Sequence, residues 1–146
     1  MRQQLSLSND GLPSRAQYDK IVDEYYANLT PRKHDKALID AATMTDVLLA
    51  LHNPGAKDIR TAQFRFWVRK MFKLDEFAGR EQVIHEERVV AVKENIYDII
   101  CSSHRAVQHA GRDRTNANIR KHYSWIPKEI VAGFVKACPT CNLKRT

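Results

Sequence analysis

The chain has 146 residues, with 24 Lys or Arg against 17 Asp or Glu and a formal net charge of +7. That length holds one ordinary domain or two small ones and excludes a large enzyme barrel, and its apolar runs are far below membrane-spanning length. Hydrophobic residues make up 43%, which excludes a disordered tail. Residues 1–12, ending Asn9-Asp10-Gly11-Leu12, read as a loose arm. Pro13-Ser14 then opens a helix whose apolar positions Tyr18, Ile21, Val22 and Tyr25 share one face. Thr30-Pro31 reads as a second helix start, with a stripe of Leu38, Ile39, Ala42, Val47, Leu48 and Leu51 and a break expected near Thr43 and Thr45. Asn53-Pro54-Gly55 is a stop. Thr61 precedes a third helix with the aromatic stripe Phe64, Phe66, Trp67 and Phe72, read as a seam between helices.

At Arg80 the helical period gives way to Val- and Ile-rich runs. Gln82–His85 and Arg88–Val92 flank the polar pair Glu86-Glu87, the pattern of a β-hairpin. It marks the expected boundary between a helical unit at 13–76 and a second unit at 80–146. Helices are expected over 95–103, 116–123 (with Thr115 as N-cap) and from Pro127 through Ala137, with Ile130, Val131, Phe134 and Val135 inward. The fold class is therefore mainly α: an N-terminal helical unit, a short β-hairpin and a small helical bundle. In the bundle a helix, a short turn and a helix suggest the arrangement that sets one helix in the major groove.

Three cysteines do not form the even framework of a secreted domain, and no basic-then-apolar leader is present, so a reducing intracellular compartment is expected. Two of them, Cys138 and Cys141, form a C-x-x-C pair, separated by 28 intervening residues from the histidine pair His104 and His109. Two thiolates from a tight turn and two imidazoles from another element make a tetrahedron that suits Zn2+. A redox dithiol is the other reading of the cysteines alone, but no βαβ pattern surrounds them. Cys101 reads as a buried helix residue beside Tyr97 and Ile100, and His122 as solvent-facing.

The charge is asymmetric. Residues 1–92 hold fourteen basic and thirteen acidic residues, whereas 104–146 hold nine basic residues against Asp113 and Glu129. Such a segment favours a polyanionic partner through counterion release. Arg112, Arg114, Arg120, Lys121, Lys128, Lys144 and Arg145 are expected on phosphates, and Asn116, Asn118 and Lys128 are candidates for reading bases.

The run from His104 to Thr115, then Tyr123-Ser124-Trp125, then Cys138-Pro139-Thr140-Cys141 resembles the His-His-Cys-Cys zinc-binding domain of retroviral and Gypsy-type retrotransposon integrases, as found also in host proteins derived from them. The motif covers 104–146, and 80–103 is similar to the stretch preceding that domain. The resemblance implies one structural Zn2+ on His104, His109, Cys138 and Cys141, a zinc-stabilised bundle containing a helix-turn-helix, and Trp125 in the core. Two positions depart from the family pattern: Gln108 stands where glycine is usual, and Trp125-Ile126-Pro127-Lys128 replaces a Trp-Pro-Gly-Met-like step. The family's acidic catalytic core would follow the zinc domain, and this sequence reaches only five residues past Cys141.

The function expected is zinc-dependent binding of double-stranded DNA by a nuclear transcriptional regulator or chromatin-associated protein, with neither catalysis, a small-molecule substrate nor a membrane. A protein-interaction or homodimerisation module with structural zinc is the alternative, and RNA binding a weaker one.

Overall fold

The computed structural model describes residues 11–145. Helix α1 (Arg15–Ala27) begins at Ser14 with a reciprocal cap: the Ser14 hydroxyl accepts from the Gln17 N–H at 3.1 Å, and the Gln17 side chain accepts from the Ser14 N–H at 2.8 Å. Pro31–Lys33 is a 3-10 turn that runs into a single-turn helix, α2 (His34–Ala37). Next come α3 (Ala41–His52) and α4 (Ala62–Met71), the latter capped by Thr61. Three antiparallel strands follow, β1 (Lys73–Phe77), β2 (Arg80–His85) and β3 (Arg88–Val90). The C-terminal part consists of α5 (Ile96–Ala106), α6 (Arg112–Arg120), β4 (Tyr123–Ser124), α7 (Lys128–Ala137) and α8 (Pro139–Arg145). The fold is thus mainly α with a small sheet.

Several local expectations are corrected. The helix expected from Thr30 towards Leu51 breaks not at Thr43 and Thr45 but at Leu38–Asp40, because Asp40 caps α3 by accepting from the Thr43 N–H at 2.8 Å. Thr30 makes no side-chain cap. The hairpin is one half of a larger sheet in the order β1-β2-β3-β4. Strand β1 is hard to see in sequence because its positions are nearly all exposed and only Leu74 is half-buried. Both hairpin turns have two residues at positive φ, Ala78-Gly79 (55° and 76°) and Glu86-Glu87 (51° and 65°), the twist-matching geometry of two-residue turns. Thr115 is not an N-cap: α6 starts one turn earlier, at Gly111, and Thr115 lies inside it, fully buried.

Strand β4 pairs in parallel with β3, Val89 opposite Tyr123 and Val90 opposite Ser124. This pairing ties the meander to the segment between α6 and α7. That segment, residues 121–127, is longer than the three- or four-residue turn of a compact helix-turn-helix.

Two buried clusters hold the molecule, and they do not follow the expected boundary between 13–76 and 80–146. One joins Leu12, Tyr18, Val22 and Leu38 to Ile96, Ile100, Ile119, Ile130 and Phe134. The other joins Ile39, Val47, Phe64, Val68 and Phe72 to Val83 and Val90. Neighbours Leu38 and Ile39 therefore anchor different clusters. Gly133 lets α1 lie close against α7: a Cβ there would sit 2.8 Å from Ile21 Cγ2. Of the expected arm, residues 1–10 lie outside the described residues, whereas Gly11 and Leu12 are packed: Leu12 is buried and the Gly11 carbonyl accepts from the Thr140 hydroxyl at 2.9 Å. Tyr97 donates from its buried hydroxyl to the Pro13 carbonyl at 2.7 Å, pinning the chain where α1 begins.

Trp125, expected in the core, is half-buried and links the parts. Its ring meets Trp67, Phe72 and His85 at 5.0–6.0 Å between centroids, and its Nε1–H donates to the Lys36 carbonyl at 2.9 Å. The aromatic seam of α4 is thus confirmed, except that Phe66 points outward at 63% exposure. Cys101 is buried in α5 as expected, and burial raises its thiol pKa above the ordinary value.

Candidate metal centre and the basic surface beside it

Helix α5 carries His104 in its last turn, where the side chain is fully buried. The chain then reverses through Gln108 and His109, both left-handed at φ 56° and 58°. The reversal brings the His109 N–H to the His104 carbonyl at 2.9 Å and sets the two rings edge to face, 4.7 Å apart. The glycine usual in the resembling family would adopt this conformation without strain; Gln108 does so at a cost. From the other side, α7 ends at Ala137, Cys138 turns the chain, and α8 presents Cys141 one turn later. Both cysteines are buried.

One donor atom from each of His104, His109, Cys138 and Cys141 lies within 4.8 Å of all the others. His104 Nε2 is 3.3 Å from Cys141 Sγ, and His109 Nδ1 is 3.4 Å from Cys138 Sγ. With Zn–N near 2.0–2.1 Å and Zn–S near 2.3 Å, a tetrahedron has mixed nitrogen–sulfur edges of about 3.6 Å. The four residues therefore fit one Zn2+ in both donor chemistry and spacing. They complete the coordination without a water, so the site is structural and holds no activated nucleophile.

Thr115 orients the first imidazole. Its hydroxyl donates to the Ala110 carbonyl at 3.3 Å and accepts from His104 Nδ1–H at 2.9 Å, which leaves the Nε2 lone pair facing the sulfurs. Burial, then the neighbouring His109 and Lys144, lowers the His104 pKa to about 4, so the ring is neutral at physiological pH. Burial and the adjacent Cys138 raise the Cys141 thiol. Its deprotonation is therefore tied to the arrival of a cation. No sequence pattern separated Thr115's role as ring partner from that of a cap; only the position of α6 against α5 does so.

The nine expected nucleic-acid contacts do not form one surface. Arg112, Asn116 and Arg120 lie on the flank of α6 that faces the start of α7, where Lys128 lies. Arg114, Asn118 and Lys121 lie on the opposite flank, towards residues 106–108. The base-reading candidates Asn116 and Asn118 are thus on different sides. Lys144 reaches back to the carbonyls of Gln108 and His109 at 3.3 and 3.4 Å, and Arg145 to the Lys136 carbonyl at 3.2 Å, so both brace the metal knuckle. Arg112 pairs with Asp113 at 3.2 Å. Among the described residues Arg114, Arg120, Lys121 and Lys128 enter no ion pair. Arg88, which the sequence did not single out, lies beside this set, its Nη1–H donating to the Arg120 carbonyl at 3.4 Å.

Residues 92–146 match the integrase zinc binding domain family. The chain is also similar to Nucleolar protein 4 of Homo sapiens, 29% identical over 127 aligned residues that cover 66% of this chain and 20% of that protein. Nucleolar protein 4 of Mus musculus is 29% identical over the same aligned length, covering 26% of that protein. The chain thus spans about a fifth to a quarter of the curated relatives it matches. No solved structure matches it. The C-terminal part is an H2C2-type zinc-binding domain resembling integrase-derived modules, and among the described residues no helix is long and apolar enough to cross a membrane.

Proposed function

We propose that this chain is a zinc-dependent module for double-stranded DNA, part of a nuclear transcriptional or chromatin-associated protein whose H2C2 domain descends from a Gypsy-type integrase. The carrying observation is the exposed, uncompensated charge on and just beyond α6: Arg114, Arg120, Lys121 and Lys128 face solvent within a unit that a metal holds in shape. Phosphate contacts of this kind supply affinity and register, while Asn116 or Asn118 reads base edges. The name of the similar human and mouse proteins supports a nuclear setting. In this reading the helices at 13–76 fix the orientation of the zinc unit.

Titration of a labelled duplex at several salt concentrations, with zinc-loaded and chelated protein, tests the proposal. Binding is expected to require the metal and to weaken steeply with salt. Arg114→Ala lowers affinity for all sequences alike and flattens the salt slope by about one. An unchanged slope refutes the assignment of Arg114.

A further inference from the structure

At the end of α7 remote from the metal centre, the β2–β3 turn, the C-terminal half of α6 and the start of α7 line a recess of about 250 Å³. Three cations line it, Arg88, Arg120 and Lys128. Its one carboxylate, Glu86, is already matched by Arg88 at 2.8 Å, so the lining keeps a positive excess. Ser124 also lines the recess and is 5% exposed, yet its hydroxyl has no hydrogen-bond partner. A buried hydroxyl in that state has given up water without a replacement partner and calls for an explanation. The ten-residue α7 starts here, at Lys128, with Pro127 in the N-cap position and no side-chain cap. The N–H groups of Ile130 and Val131 turn back to the Pro127 carbonyl, and no side chain caps those of Lys128 and Glu129. A helix start of this kind attracts anions.

We propose that this recess receives one backbone phosphate of duplex DNA. A phosphodiester has one negative charge and two unesterified oxygens. The cations Arg120 and Lys128 meet the charge, and the Ser124 hydroxyl with the N–H groups opening α7 takes an oxygen. Arg88, tied to Glu86 and to the Arg120 carbonyl, positions the cationic wall. The inference rests on the DNA-binding reading and deepens it, since it makes Arg120 and Lys128 act on the same phosphate, adds Ser124 to the contact set and gives Arg88 a positioning role.

The test uses the full zinc-loaded chain and a labelled duplex over a salt series, with backbone amide shifts followed during titration by inorganic phosphate. The double variant Arg120→Gln/Lys128→Gln is expected to bind about tenfold more weakly and to flatten the slope by about 0.9, the value for one phosphate, and not by about 1.8. Ser124→Ala is expected to weaken binding about threefold with the slope unchanged and the fold intact. Inorganic phosphate is expected to shift the Lys128 and Glu129 amides in the wild type and not in the double variant. If wild-type protein binds DNA and the double variant keeps its slope, the recess assignment falls and the DNA-binding reading stands. If wild-type protein binds no duplex, that reading falls and takes this proposal with it. Phosphate-dependent amide shifts without any change in DNA slope mark a receptor for another phosphorylated ligand and overturn the assignment to DNA.

Discussion

Thr115 offers the sharpest test of how the metal centre is built. Its side chain is fully buried, and its hydroxyl bridges His104 Nδ1 and the Ala110 carbonyl. Thr115→Val keeps the volume, so no cavity forms, but it strands the buried His104 donor and takes a partner from the half-buried Ala110 carbonyl. An unsatisfied buried group costs about 1–3 kcal/mol, and loss of the group that orients a metal-bound histidine commonly weakens metal binding about 10–100-fold. The two figures agree, since 1.4 kcal/mol is tenfold. Thr115→Ser retains the hydroxyl and removes a single methyl, about 0.8 kcal/mol of burial that bears on stability more than on the metal. Zinc affinity measured by competition with a chelating dye is expected to fall 10–100-fold in the valine variant and to stay within about threefold in the serine variant. Equal affinity in wild type and Thr115→Val refutes the claim that this hydroxyl sets the tautomer of His104.

Two further predictions concern stability. Gln108→Gly relieves a left-handed residue at φ 56°, and after subtraction of glycine's larger unfolded-state entropy it is expected to stabilise the zinc-bound chain by about 0.5–1 kcal/mol. Urea unfolding checks this, and a lower midpoint contradicts it. Metal removal is expected to abolish amide protection across α5, α7 and α8, because His104 packs edge-on against Phe134 in the cluster those helices share with α1. Protection in α3 and α4, which belong to the other cluster, is expected to persist. Undiminished protection of α5 in fully chelated protein excludes a structural role for the ion.

What was legible in the sequence was local or chemically unambiguous. The helix starts at Pro13-Ser14 and after Thr61, the inward stripe Ile130, Val131, Phe134 and Val135, and the hairpin around Glu86-Glu87 all act within a few residues, and each is present in the fold, whereas the caps read at Thr30 and Thr115 are not. The four metal donors were legible for a different reason: two imidazoles and two thiols at chelating spacing have few other uses, whatever path the chain takes between them. Helix rotation and long-range pairing were not legible. Thr115 has the same identity as a cap or as a ring partner, and only the packing of α6 on α5 turns it towards His104. The basic residues of α6 are evenly spread in sequence, but burial of Thr115 and Ile119 sends them to two flanks. The parallel pairing of β3 with β4 joins residues more than thirty positions apart, and Gly11 meets the metal knuckle from almost the far end of the chain. Composition and spacing determined which ion this protein can hold and where its charge lies. Tertiary packing decided which groups steady that ion and which cations face the same recess, because the direction of a side chain depends on how its element sits against the rest of the fold.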